Sequence, residues 1–236
     1  KNVTLYAEGD IEFADNVEMI DTNITYNKQS MSDSMWVYKQ LSIENTTIGI
    51  NSSVDHVFNG TGEGIIFGTE SHFISTDNSM IYSLNWNISQ PWHTSLELWS
   101  WGSDFNVNIQ NSTFKHIAVI RSPGDDTTVI GNTFDLCRVT VYTTGTGFIY
   151  KDNYIHKGWP LAGHYSIYIE QMDEGVISNN TFNYTYDTIG VHSSGNISIE
   201  NNIFINNTQI TMDGVVGYGW SIYSQQSDNI TISENC

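Results

Sequence analysis

Few residues in this chain have the types and spacing to carry bond-making chemistry. Cleaving a glycosidic bond requires two carboxyl groups flanking one bond, or a carboxylate assisted by a base and a cationic clamp. Arg121 with Asp125 and Asp126 in "RSPGDDTT", and His164, Glu170 and Asp173 in and around "GHYSIYIEQMD", are the candidates for such roles. If 163–173 is a strand, His164, Ser166, Tyr168 and Glu170 share one face, because alternate side chains project to the same side. Adjacent acids in a Pro-Gly turn more often solvate a loop. The strand face gathers polar groups without supplying a nucleophile, a base and an oxyanion donor together.

Binding chemistry has a separate candidate. "PWHTSLELWSWG" carries Trp92, Trp99 and Trp101, and the last two share a face if they lie in a strand. Indoles placed so can stack on a sugar or on a protein partner, or they can close the core of the N-terminal half. No His/Cys/Asp cluster has zinc spacing and no glycine-rich phosphate loop follows a strand, so no cofactor or metal is expected. Weak calcium binding by turn aspartates is the one cation reading left open.

Modification has the densest signal. Asn-x-Ser/Thr occurs at Asn2, Asn23, Asn45, Asn51, Asn59, Asn87, Asn111, Asn179, Asn183, Asn196, Asn206 and Asn229, about twice the number that chance supplies at this composition. Such sites mark exposed segments of exported chains. Covalent N-glycans are therefore expected partners, and the expected location is extracellular, at the cell surface.

What positions these residues is a repeat. "IQNSTF" (109–114), "VIGNTF" (129–134), "ISNNTF" (177–182), "IENNIF" (199–204) and "ITISEN" (230–235) return to one pattern: an apolar residue, a small polar turn, then Phe or Ile. Alternation in "NISIENNIF" is that of a half-buried strand that turns a corner at the Asn pair. The register marks are Ser112, Asn132, Asn153, Asn180, Asn202 and Asn235, spaced 20, 21, 27, 22 and 33 residues apart. A period in the low twenties with insertions predicts a solenoid of stacked coils. With coils about 4.8 Å apart, like residues lie over like. Asn132, Asn153, Asn180, Asn202 and Asn235 are then expected to form a ladder of side-chain amides, satisfying polar groups that each corner would otherwise bury.

These motifs resemble the right-handed parallel β-helix repeat family, the fold of pectate-lyase-like enzymes, tailspikes and many archaeal and bacterial surface proteins. The resemblance covers residues 105–236 well and fades before that. It implies an all-β, single-stranded right-handed parallel β-helix, one continuous solenoid with irregular coils over 1–104 and regular ones over 105–236. "DIEFADNVEMIDTNITY", "SIENTTIGI" and "FISTDNSMIYSLNWNIS" read as further coils with degraded corners, and "HKGWPLAGH" and "TMDGVVGYGW" as projecting loops. The acidic and basic residue set of polygalacturonase-like hydrolases is absent as a set, which disfavours that activity.

Composition narrows the rest. Acidic residues number 26 against 8 basic ones, for a formal charge of −18, so a nucleic-acid partner is not expected: phosphate neutralisation needs a basic surface. No apolar run reaches the roughly 20 residues of a membrane span, so no membrane insertion by this segment is expected. "KNVTLYAEGD" lacks a signal-peptide core and reads as the start of a mature or excised segment. Cys137 and Cys236 are expected to lie four or five coils apart, roughly 20 Å, too far for a disulfide. The reading is a glycosylated structural protein of a surface layer, sheath, filament or adhesin, which assembles with itself or with other surface proteins through solenoid ends or faces. The alternatives are a polysaccharide lyase, hydrolase or binding module, and a tailspike-like fibre.

Overall fold

The structure, a computed structural model, describes residues 3–9, 11–28, 35–37, 39–52, 64–67, 73–83, 95–98, 106–116, 119–123, 125–137, 139–158, 165–207, 210–212, 215–217 and 220–236. Every regular element among them is a β-strand.

Three faces enclose one core. The first is a nine-stranded parallel sheet that includes Thr22–Lys28, Thr47–Ser52, Met80–Ser83, Thr113–Lys115, Thr133–Asp135, Tyr154–His156, Thr181–Asn183 and Ile203–Ile205. The second includes Val17–Ile20, Gln40–Glu44, Phe73–Asp77, Asn106–Gln110 and Thr128–Ile130, and continues through the later parts of the long strands Val139–Lys151 and Ile167–Ser178. The earlier parts of those two strands lie beside Val119–Pro123, Ile189–His192 and Ile222–Gln225 and make the third face. Among the described residues, successive circuits visit the three faces in turn and pair with their neighbours.

Register within the sheets is set by what points inward. On the first face Ile24, Ile48, Ile81, Phe114, Phe134, Ile155, Phe182 and Phe204 follow one another in pairing register. All but Phe204 are buried. A one-residue slip would send this whole file into water, at about 1.5–3 kcal/mol per side chain. Phe114 and Phe134 stack with centroids 5.1 Å apart, and Phe182 and Phe204 at 5.2 Å.

Between the second and first faces the chain turns sharply. Asp21, Asn45, Asn78, Asn111, Gly131, Asp152, Asn179, Asn201 and Glu234 sit at successive turns with φ between 44° and 68°. Asn and Asp recur there because a short polar side chain tolerates the left-handed region. The next residue at each turn points inward. Asn180 shows how it is satisfied: its Oδ1 accepts from the backbone N–H of Asn153 at 2.9 Å and from Asn153 Nδ2 at 3.1 Å. Its own Nδ2 donates to Tyr150 O at 3.0 Å and to Asn202 Oδ1 at 2.9 Å. Asn132, Asn153, Asn202 and Asn235 belong to the same chain of bonds.

The file does not stop at residue 105. Ser112 N–H donates to Asn132 Oδ1 at 2.8 Å, Ser79 N–H to Ser112 Oγ at 3.3 Å, Thr46 N–H to Ser79 Oγ at 3.1 Å and Thr22 N–H to Thr46 Oγ1 at 3.4 Å. Hydroxyls occupy the corner in the earlier coils and amides in the later ones. Hydrogen-bonded strands also join the two parts of the chain, Phe73–Asp77 to Asn106–Gln110 and Met80–Ser83 to Thr113–Lys115. Ile210–Met212 and Val215–Gly217 form a two-stranded antiparallel pair, so this insertion carries local structure of its own.

Candidate functional site

Two parts of the surface carry chemistry. The first is the turn just described. Asn45, Asn111 and Asn179 hold equivalent positions along that edge, and all three are exposed. Asn196 and Asn229 are exposed on neighbouring coils at the edge between the third and second faces, with φ of 54° and 52°. Exposed Asn206 turns the edge that follows the first face, and exposed Asn23 lies within a strand of that face.

Their amides differ in what they hold. Asn111 Nδ2 donates to Asp77 Oδ1 at 3.0 Å, Asn196 Nδ2 to Asp173 Oδ1 at 2.9 Å and Asn229 Nδ2 to Asn196 Oδ1 at 3.2 Å. Half-buried Asn51 donates to Asn27 Oδ1 at 2.9 Å. Asn2, Asn59 and Asn87 lie outside the described residues.

The second part is the outer surface of the third face. Tyr168, Gly190 and Tyr223 are in register there, and two residues further along so are Glu170, His192 and Gln225. Gly190 leaves room for the ring of Tyr165, whose Cδ2 would lie 2.5 Å from an added Cβ. Tyr165 therefore stacks on Tyr168 and on Tyr223, each at 5.8 Å, and Trp220 stacks on Tyr223 at 4.7 Å. Burial, followed by the charge of Asp187, pushes the Tyr165 hydroxyl up to about 12. Tyr168 is raised as well, by burial and then by Glu170.

Beside this stack, His192 Nδ1 stands 3.7 Å from Glu170 Oε1 and 3.1 Å from Ser193 Oγ. Both partners meet the same ring nitrogen. A proton relay needs the acid on one nitrogen and the nucleophile on the other, so this trio does not have the geometry of an activated serine.

The remaining candidates do not converge on Glu170. Exposed Asp125 accepts from the Thr146 N–H at 2.9 Å, exposed Asp126 adopts φ 55°, and exposed Asp173 is bound to Asn196. They line an edge, whereas Glu170 lies on a face. The backbone of Arg121 is in the strand Val119–Pro123, while His164, Trp92, Trp99 and Trp101 lie outside the described residues. Among the described residues no group of three or more His, Cys, Asp or Glu side chains is placed to hold a metal ion. Cys137 is buried, its thiol directed at Phe114 O 3.4 Å away, Cys236 is exposed, and the two form no disulfide. No helix among the described residues is long and apolar enough to cross a membrane.

Comparison with protein families settles the class of fold. A family described as the right-handed β-helix region matches residues 97–236, more than half of the chain. The chain belongs to the right-handed β-helix family. Within this β-helix, the matched span begins shortly before Ser112, where the corner passes from hydroxyls to amides. No curated protein and no solved structure matches the chain. Membership in this family is compatible with surface, enzymatic and binding roles in general, and the fold does not choose among them.

Sequence reasoning missed two things. The hydroxyl corners Thr22, Thr46 and Ser79 carry no signature, because Ser and Thr are common throughout the chain. The aromatic stack joins Tyr165 and Tyr168 to Trp220 and Tyr223 across two coils. Its local clue is Gly190, set between buried Ile189 and Val191.

Proposed function

We propose that this β-helix is an extracellular, N-glycosylated structural module of a surface layer, sheath, filament or adhesin, in contact with copies of itself or with other surface proteins. The observation that carries the reading is the recurrence of sequon asparagines Asn45, Asn111 and Asn179 at one exposed turn. A corner that selects Asn for its backbone conformation presents an acceptor amide to solvent every few coils. Glycans there would run in a file along the solenoid, and the flat faces between the edges are left for lateral contact. The acidic charge suits a hydrated, salt-exposed surface.

Electron microscopy of the protein from its native source, with intact-mass analysis of the same sample, tests this. Ordered sheets or filaments, with mass well above the 26.6 kDa polypeptide, are the expected result. Dispersed, unmodified monomers would sink it.

A second reading, carbohydrate binding on the third face, has one observation in its favour: Glu170, His192 and Gln225 lie beside Tyr168, Tyr223 and exposed Trp220. The stacking weighs against it, because these rings offer their faces to one another. Titration with neutral oligosaccharides, followed by tryptophan fluorescence, would reveal such a site.

A further inference from the structure

Two sequons lie four residues apart in Asn179-Asn180-Thr181-Phe182-Asn183-Tyr184-Thr185, and the fold treats them in opposite ways. Asn179 is exposed at its turn, with φ 57°, and its side chain is bonded to no described residue. The hydroxyl-bearing residue of that sequon, Thr181, is half-buried on the outward side of its short strand. At the other end of the strand, Asn183 is engaged. Its Nδ2 donates to the Tyr154 hydroxyl at 3.1 Å, and its Oδ1 is buried with no hydrogen-bond partner. Thr185 is fully buried, and its hydroxyl is paired with the Thr188 hydroxyl at 2.8 Å and with Asn207 Oδ1 at 3.0 Å.

N-glycosylation joins the asparagine Nδ2 to the anomeric carbon of an oligosaccharide carried on a lipid pyrophosphate. The bond from that carbon to the phosphate oxygen breaks, the lipid pyrophosphate leaves, and the amide gives up one proton. A sequon pairs this amide with the hydroxyl two residues on. Both must be reachable on a folded coil, and a chain glycosylated before folding must still fit the glycan. Asn179 meets these conditions. At Asn183 the sequon hydroxyl on Thr185 is fully buried and paired, and a glycan would have to leave beside an oxygen already buried without a partner, where burial of an unsatisfied polar atom is costly.

We infer that the fold separates the two ends of this strand and its edge: Asn45 and Asn179 on the shared edge carry N-glycans and Asn183 does not. This rests on the reading of the chain as an exported glycoprotein. Asn45 joins Asn179 because it is exposed and uses only its Oδ1, which accepts from Asn78 Nδ2 at 2.7 Å. A glycan on Asn45 Nδ2 leaves that bond intact. Asn111, Asn196 and Asn229 occupy a middle rank, since each spends Nδ2 on a neighbouring coil and a substituted amide keeps one N–H.

The test is site-resolved glycopeptide mass spectrometry on the full chain from its native source, with Asn179→Gln and Asn183→Gln variants expressed in the same host. The expected result is glycan on Asn45 and Asn179, none on Asn183, a loss of one glycan mass in Asn179→Gln and no loss in Asn183→Gln. Glycan on Asn183, or a bare Asn45 or Asn179 in a chain glycosylated elsewhere, overturns the inference and leaves the glycoprotein reading standing. A chain with no glycan at any site overturns both. The wild-type peptide map decides the matter even if Asn183→Gln fails to fold.

Discussion

The coils from Thr22 to Ser79 and those from Asn132 to Asn235 turn the same corner with different chemistry. Asn180 reaches both neighbouring coils, accepting two bonds from Asn153 and donating to Tyr150 O on one side and Asn202 on the other. Ser79 accepts from the Thr46 N–H, and its single proton is directed at Asp77 O, 2.8 Å away within its own coil, with Ile43 O more distant at 3.3 Å. Thr22 likewise donates to the carbonyl two residues back, Ile20 O, at 2.8 Å, while the Thr46 proton has two acceptors, Glu44 O at 2.8 Å in its own coil and Met19 O at 2.9 Å in the coil before. An amide has two donors and two lone pairs on a planar group, so it couples coils. A hydroxyl has one proton, so it donates either within its own turn or to the coil before, where an amide can do both. The lesson is that one corner backbone accepts either group, and that an amide ties its coil to both neighbours with more bonds than a hydroxyl can make.

Asn180→Ala breaks this difference open most directly. It strands the buried Asn153 backbone N–H, takes one bond from the Tyr150 carbonyl and removes two further side-chain bonds, so a loss of about 3–5 kcal/mol in urea unfolding is expected. Gly190→Ala comes next. The methyl group must displace Tyr165, and a cost of about 1–3 kcal/mol, with altered near-ultraviolet circular dichroism, would place the aromatic stack among the interactions that stabilise the amide-laddered half. Ser79→Ala leaves the Thr46 N–H unpaired in a buried corner, for about 1–2 kcal/mol. If it costs as much as Asn180→Ala, the contrast between the two halves is wrong.

Alkaline titration sharpens the same picture. The folded chain holds Tyr165 at about 12 against an ordinary 10.0, so the unfolded chain releases that proton first. Stability from this group is complete below about pH 10 and is lost as pH rises toward 12. Unfolding midpoints at pH 9 and pH 11 should fall in that order, and a higher midpoint at pH 11 would reverse the assignment. Least affected should be Lys39→Ala, since the Lys39–Asp15 pair at 2.8 Å is exposed on both sides. No measurable shift in the urea midpoint is expected, because such surface pairs contribute little.

The amide-laddered coils were legible because three demands fall on adjacent residues: a left-handed turn, an inward amide, then an aromatic or branched residue for the core. Asn179, Asn180 and Phe182 display all three. In the earlier coils Asn78, Ser79 and Ile81 meet the same demands with a hydroxyl and an aliphatic residue, a pattern found in many ordinary strands and turns. Two circuits there are long as well, with 33 residues between Thr46 and Ser79 and again between Ser79 and Ser112, a length reached among the amide corners between Asn202 and Asn235. The candidate sites divided similarly. Sequons can be read directly, whereas their accessibility cannot: Asn179 and Asn183 are the same motif.

The sequence by itself determined that this chain is a parallel β solenoid and where its regular corners fall, because stacking like on like imposes its period on the residues. Only the tertiary structure decided which amides face solvent, that Tyr165 lies over Gly190 between Tyr168 and Tyr223, and that hydroxyls continue the corner file to Thr22. Those outcomes depend on what the coils above and below present. That is a property of residues twenty to thirty-three positions apart, and no local stretch of sequence contains it.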